Sequence, residues 1–254
     1  HFIEFGARYR RFGEIMKPFM FDAPPSRSEI FATFEAAGAE DLLDEFVLGS
    51  TNELLDRYFE SDHIKGFLTF YGMVSIWGGP STPGQAYVYG HHASGEFEGN
   101  LSRWAFVKGG MGEITQSLAK AAQAQSVKIR TGVPVNQVLI KSGRAIGIVL
   151  KGGEEIAADI VISNAEPKRS LLKFVEEKHL AADFRRDVER IDQRGAMARV
   201  HLLVDELPRY IGLPDELPGP QHRGHQMLGA SVENFEQAWQ AQRQGRIPDD
   251  FQIE

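Results

Sequence analysis

Aromatic and aliphatic residues recur every three or four positions at the start of the chain: Phe2, Phe5, Tyr9, Phe12, Ile15 and Phe19. That spacing predicts a helix over 2–19 with a wide aromatic stripe on one face. The stripe reads as a core-facing side, with a membrane-surface or apolar-ligand role as the alternative. Asp22-Ala-Pro-Pro25 breaks this helix, because proline lacks an N–H and restricts the residue before it. Ser26 with Glu29 is a capping box for a helix reaching about Ala37, which Gly38 ends. A short helix over 39–48 and another, capped by Ser50 or Thr51 and running to about Phe59, follow. A longer apolar helix starts at Ser61 or Asp62 and passes through Ile64, Phe67, Leu68, Tyr71 and Val74. The run Gly78-Gly-Pro-Ser-Thr-Pro-Gly84 stops it as a loop, and 85–106 reads as an irregular aromatic stretch.

The period changes after residue 108. Gly109-Gly110-Met111-Gly112 opens a helix that carries Ile114, Leu118, Ala121 and Ala122 on one face. Four β-like runs follow, over 127–130, 133–141, 145–150 and 156–163. Their separators, Ser142-Gly-Arg144 and Lys151-Gly-Gly153, are tight glycine turns, which predict an antiparallel meander and not a series of βαβ crossovers. Ile160-Val161-Ile162 is apolar throughout, as a strand buried on both faces would be. Residues 167–191 read as one or two helices with a charged outer face, and 198–204 and 226–232 as strands flanking a loop at 208–224. Ser231 starts an amphipathic helix through Phe235, Ala238 and Trp239 that ends near Gly245. The fold class expected is α+β: a helical N-terminal third, a central helix with a β-meander, and a C-terminal strand and helix part.

Composition narrows the chemistry. The 254 residues are 42% hydrophobic and 25% charged, which is globular usage and not disorder. With no cysteine, a disulfide framework, an iron–sulfur site, a thiolate zinc site and a cysteine nucleophile are all excluded. The net charge of −7 comes without a basic run, so no nucleic-acid footprint is expected. No apolar run is long enough to span a bilayer. The first residue is not Met and the opening already reads as mid-helix, so a truncated or processed chain is expected.

Individual motifs are weak. The cluster Gly109–Gly112 lets backbone N–H groups face an anion or a ring edge, yet many helices begin after glycine for steric reasons alone. It is not a GxGxxG fingerprint, since Thr115 stands where the third glycine belongs, and no strand–GxGxxG–helix unit occurs in the 254 residues. His91 and His92, taken as strand neighbours, point to opposite faces and do not share a metal. His222 and His225 lie in a loop without an acid at ligand spacing. Asp41, Asp44, Glu45, Glu96 and Glu98 read as solvated charges. Neither GxSxG nor HExxH is present.

In combination the motifs are more specific. Trp104-Ala-Phe-Val-Lys-Gly-Gly-Met-Gly-Glu113 precedes a helix and Val127-Lys-Ile-Arg-Thr131. Val135-Asn-Gln-Val138, Gly143-Arg-Ala-Ile-Gly-Ile-Val-Leu150 and Ala158-Asp-Ile-Val-Ile-Ser-Asn-Ala-Glu-Pro167 come next. With Ser81-Thr-Pro-Gly84, Gly90-His-His92, Gly95-Glu-Phe-Glu-Gly99 and Val204-Asp-Glu-Leu-Pro208, this order resembles the phytoene desaturase-like FAD-dependent oxidoreductases over most of 60–210. The resemblance implies a two-domain flavoprotein whose FAD domain is built from separated stretches. Its substrate domain would comprise 1–105, mainly helical, and 169–254, with part of the FAD domain in 106–168. Gly109, Gly110, Met111 and Gly112 would lie beside the flavin. The backbone of Val135 would pair with the adenine, and Asn164 and Ala165 would close a turn near the cofactor.

The absent phosphate cradle departs from that family and makes the chain read as an internal piece of a larger enzyme, inactive alone and binding FAD weakly or not at all. The activity expected of the parent is hydride transfer from an apolar, isoprenoid or lipid-like substrate to flavin, with Tyr71 and His92 as pocket candidates, no nameable catalytic residue and no metal. A cytoplasmic location, with membrane-peripheral or organellar placement as alternatives, and a homo-oligomer fit this expectation. The rival class is a non-catalytic binding or assembly module that uses the aromatic helical surface. A histidine metallohydrolase ranks last, for want of an acid at ligand spacing.

Overall fold

A computed structural model describes every residue except 102–104, 196, 214–216, 225, 230, 251 and 254. The candidate His225 and the leading Trp104 of the glycine motif lie outside the described residues. The chain divides into two compact units, one of His1–Ala105 with Arg194–Glu254 and one of Phe106–Gln193. Residues 169–193 thus cluster with 106–168.

The first unit opens with α1 (Phe2–Met16), which tightens into a single 3₁₀ turn before the prolines. Its stripe enters the core as the period requires: Phe5 and Phe12 are buried, and Phe2, at the helix start, remains exposed. α2 (Arg27–Ala36) carries the capping box in full: Ser26 Oγ accepts the Glu29 N–H at 3.3 Å, and Glu29 accepts the Ser26 N–H at 2.7 Å. Gly38, at φ +58°, ends the helix in the left-handed region. α3 (Glu40–Leu43) runs into a π-turn over Asp44–Leu48. α4 (Thr51–Asp56) is capped by Ser50, and Ser61 caps α5 (Asp62–Met73).

Phe12 packs on Phe34 and Phe46 with ring centroids 5.5 and 4.9 Å apart. Leu54 and Leu55 fill the same core. Each such side chain contributes about 1.5–3 kcal/mol on burial, which exceeds what the short helices gain from propensity.

The stretch 85–106, expected to be irregular, contains α6 (Ala86–Ala93). Two features outside local propensity hold it there. The Gln85 side chain donates to the Gly72 carbonyl at 3.1 Å, and Gly90 lets the helix lie directly on the Phe12 ring. A two-stranded ribbon follows, β1 (Glu96–Phe97) with β2 (Asn100–Leu101).

The second unit holds α7 (Gly112–Ala124) and an antiparallel sheet of β3 (Val135–Lys141), β4 (Arg144–Leu150) and β5 (Glu155–Ala157), in that order. The meander matches the glycine turns: Ser142 and Gly143 both have positive φ, as a tight hairpin turn requires. The expected strand over 127–130 joins no ladder. Arg130 reaches Glu154 through two bonds of 2.8 Å each. Of the expected strand 156–163 only Ile156 and Ala157 pair with β4. Ile160 and Ile162 are 77% and 89% exposed, which reverses the expectation of a strand buried on both faces. An apolar run has strand propensity, but a ladder needs a partner strand, and 160–162 pairs with none among the described residues. The one or two helices expected over 167–191 are a π-turn at Arg169–Lys173, a 3₁₀ turn at Glu177–His179 and α8 (Ala182–Arg190).

The chain then returns to the first unit. The Arg194 guanidinium lies 4.7 Å over the Trp77 ring. Residues 198–204, expected as a strand, join no ladder, and Val200, Leu202 and Leu203 are exposed. Among the described residues of 226–232, only Leu228 pairs, in an isolated bridge to Ile253. α9 (Val232–Arg243), capped by Ser231, stacks Trp239 edge-to-face on Trp77 at 5.1 Å.

Candidate functional site

The second unit carries seven of the nine candidate positions. Gly109 and Gly110 take φ values of +88° and +92°, a region that a side chain rarely adopts, so both glycines are required by the backbone itself. The turn closes through the Gly110 N–H donating to Val107 and the Glu113 N–H donating to Gly110. Among the described residues, the N–H groups of Met111 and Gly112 meet no backbone acceptor, as the first positions of a helix require. A Cβ at Gly110 or Gly112 would enter open space. A flat or anionic group could therefore approach the helix entrance closely. The apolar side of α7 does not cover a core, since Ile114 and Leu118 are exposed.

Val135 opens β3. It lines an apolar crevice of about 270 Å³ with Val138 and Ile148 of the sheet, Val161 and Ser163 of the following segment, and Phe174. The Phe174 carbonyl accepts the Val138 N–H at 2.7 Å, and the Pro134 carbonyl accepts the Lys151 N–H at 2.9 Å. The start of β3 is thus fixed from two sides. The fold brings Val135 and Ser163 to one cavity, although 27 residues separate them in the sequence. Gly109–Gly112 do not line it.

Asn164 and Ala165 lie in a turn knotted by hydroxyl groups. The Ala165 N–H donates to Ser163 Oγ at 3.2 Å, Ser163 Oγ lies 2.7 Å from Ser170 Oγ, and Ser170 donates to the Ala165 carbonyl at 3.0 Å. Glu166 then accepts the Lys168 and Arg169 N–H groups at 2.8 and 2.6 Å. Nothing in the sequence singled out Ser170. A serine seven residues after Ser163 has no motif value until a turn folds them together.

Tyr71 and His92 belong to the first unit and do meet, with ring centroids 6.5 Å apart and planes at 88°. Tyr89 continues the aromatic chain, 6.2 Å from Tyr71 and 5.5 Å from Tyr9. Burial, with Tyr9 and Tyr71 adding to it, pushes the Tyr89 phenol up. Burial, with His91 beside it, pulls the His92 imidazole down and favours its neutral form. On a helix, neighbouring residues stand about 100° apart, so His91 and His92 are not the opposed pair expected of a strand.

The early carboxylates need a correction. Glu45 is not solvated but 6% exposed. It accepts from Arg8 Nε at 2.8 Å, Arg57 Nη1 at 3.1 Å and the Tyr58 hydroxyl at 3.2 Å. The Arg8 guanidinium is held charged, chiefly by its bond to Glu45. Asp41, exposed as expected, is lowered by the same Arg8. This cluster ties α1 to the π-turn and is structural. His222 accepts the Gly219 N–H through Nδ1 at 3.1 Å and reaches the Pro208 carbonyl through Nε2 at 2.9 Å. Among the described residues, no three His, Asp or Glu side chains could hold a metal ion together, and no helix is long and apolar enough to cross a membrane.

The family model described as flavin containing amine oxidoreductase matches residues 7–240. "Pyridine nucleotide-disulfide oxidoreductase domain-containing protein 2" of Rattus norvegicus is 32% identical over 182 residues, which are 71% of this chain and 31% of that protein. A "zeta-carotene-forming phytoene desaturase" of Myxococcus xanthus is 32% identical over 127 residues, 49% of this chain and 23% of that protein. A "hydroxyneurosporene desaturase" of Rubrivivax gelatinosus is 44% identical over 63 residues, 25% of this chain and 12% of that protein. The match spans about a third of the length of the first of these relatives. No solved structure matches the chain.

Proposed function

Because this chain belongs to the flavin-containing amine oxidoreductase family, and within it to the phytoene desaturase-like proteins, we propose that it forms part of an FAD-dependent oxidoreductase that takes hydride from an apolar, isoprenoid or lipid-like substrate. FAD, when bound, supplies the hydride acceptor and with it the reactivity. The protein's own part is to bind, to orient and to exclude water. The observation that carries this reading is the family match over 7–240, which runs through both compact units.

In this reading the second unit serves the cofactor. Its helix entrance, with the N–H groups of Met111 and Gly112 unclaimed by backbone acceptors among the described residues and no Cβ at Gly110 or Gly112, fits a close-lying anionic or ring-edge group. The Val135 backbone is assigned to the adenine end, and the Asn164-Ala165 turn to the cofactor's neighbourhood. The first unit serves the substrate, with Tyr71 and His92 as pocket residues. His92, held toward its neutral form by burial, adds no charge to a space meant for an apolar molecule.

Affinity for FAD is expected to be low, because the 254 residues contain no strand–GxGxxG–helix unit to hold the pyrophosphate. Titration of FAD into the ¹⁵N-labelled chain tests this. A dissociation constant on the order of 1 mM, with amide shifts at Gly109–Gly112, Val135 and Asn164, is the expected result. Tight stoichiometric binding with a flavin spectrum would overturn the low affinity. Unmoved amides at millimolar FAD would overturn the cofactor assignment.

The rival reading, a non-catalytic assembly module, draws on the exposed apolar side chains of Ile160, Ile162, Leu202 and Leu203. It gains nothing from Phe5 and Phe12, which lie in the core. A concentration-dependent oligomer that a Leu202→Asp, Leu203→Asp variant abolishes would favour it.

A further inference from the structure

Resting on the cofactor reading above, we propose that Ser170 is a positioning residue, one that shapes the Ser163-Asn164-Ala165 turn so that Asn164 alone faces the cofactor. The hydrogen bonds around this turn close into a ring with a defined direction. Ser170 donates its proton to the Ala165 carbonyl at 3.0 Å. Its remaining capacity at Oγ is to accept, so the 2.7 Å contact must be donated by Ser163. Ser163 Oγ in turn accepts the Ala165 N–H at 3.2 Å. Both polar groups of the Ala165 backbone are therefore used inside the protein.

Asn164, at the apex, is exposed, and its side-chain amide and backbone N–H lie outside the ring. The element that carries Ser170 is itself fixed. Its N–H donates to the Glu166 carbonyl at 2.9 Å. The Glu166 carboxylate accepts the Lys168 and Arg169 N–H groups and, at 2.6 Å, the Gln193 side chain. Ser163 also lines the crevice that begins at Val135, so the turn is anchored beside the position assigned to the adenine.

Removing the Ser170 hydroxyl breaks two of the three bonds of the ring and frees the Ala165 carbonyl, while leaving Asn164 chemically intact. The test compares the full chain with its Ser170→Ala and Ser170→Thr variants by amide shifts under FAD titration, at a temperature where all three are folded. The expected result is a loss of about tenfold in apparent FAD affinity for Ser170→Ala, the equivalent of one net hydrogen bond. The FAD-dependent shift at Asn164 should be lost with it, and Ser170→Thr should restore both. A further variant, Asn164→Ala, should reproduce the affinity loss with the ring intact. If Ser170→Ala binds FAD as the parent does and Asn164 still shifts, Ser170 has no positioning role and the cofactor reading survives. If Asn164 shifts in none of the proteins while Gly109–Gly112 do, the turn is not part of the site and the proposal fails. If no candidate amide shifts at millimolar FAD, the cofactor reading itself fails and takes the proposal with it.

Discussion

Gly13 of α1 lies so close to Ala93 at the end of α6 that a Cβ on the glycine would run into the Ala93 carbonyl. Gly90 repeats the relationship one turn earlier on α6, where a Cβ would run into the Phe12 ring. The two helices thus meet backbone to backbone at Gly13 and backbone to side chain at Gly90. Gly13→Ala is therefore expected to force them apart and to cost about 1–3 kcal/mol, as overpacking does elsewhere. Gly6, with nothing around the added Cβ, is the control, and Gly6→Ala should be neutral or slightly stabilising through helix propensity. Urea unfolding of the two variants measures the difference.

Glu45 binds Arg8, Arg57 and Tyr58 at once from a buried position. Glu45→Ala should cost about 2 kcal/mol, the scale for hydrogen bonds to a charged group. The two guanidinium groups, partly exposed in the folded protein, recover some hydration, which keeps the loss below that of a fully buried pair. A double-mutant cycle with Arg8→Ala should show coupling between the two residues. Additivity would mean that the ion pair contributes nothing.

His92 gives a pH dependence of known sign. Burial, aided by His91, lowers its pKa in the folded state, so the unfolded chain binds more protons just below the ordinary value of about 6.5. The stability associated with neutral His92 is full above that pH and is lost as the pH falls through the lowered value. The unfolding midpoint should drop as the pH falls below about 6.5, more steeply in the parent than in His92→Gln. Equal slopes in the two proteins would show that His92 does not carry the effect.

Ile160 and Ile162 present their side chains to solvent. A double change to Thr removes apolar surface without opening a cavity, so stability should stay within about 0.5 kcal/mol. Binding of a hydrophobic dye and loss to aggregation should both fall. A drop in the unfolding midpoint of several degrees would instead mean that these side chains are buried in solution.

Helix starts were the most legible part of the fold. Ser26 with Glu29, Ser50 with Glu53, and Ser61 are local devices, in which side chain and backbone lie within three residues of each other, and each forms as its spacing dictates. The hairpin turn at Ser142 and Gly143 was equally legible, because glycine takes positive φ without steric cost. α6 was not: its glycine at position 90 argues against a helix locally, and only the Phe12 ring beneath it makes that glycine necessary. The runs at 127–130, 160–162 and 198–204 show the opposite error. Their β character is real as propensity, but pairing depends on a second strand that no residue within the run specifies.

The candidate site divides in the same way. The sequence by itself determined which residues were glycine at the helix entrance, which turns were tight, and the motif order that places the chain in its family. All of these depend on residue type and on neighbours a few positions away. Only the tertiary structure decided that Val135 and Ser163 line one crevice, that Ser170 closes a ring on the Ala165 backbone, and that Glu45 is a buried hub and not a solvated charge. The last two turn on which side chain comes within about 3 Å of a donor or acceptor, and the first on which segments enclose one crevice. That proximity is set by the packing of whole elements, and local sequence does not encode it.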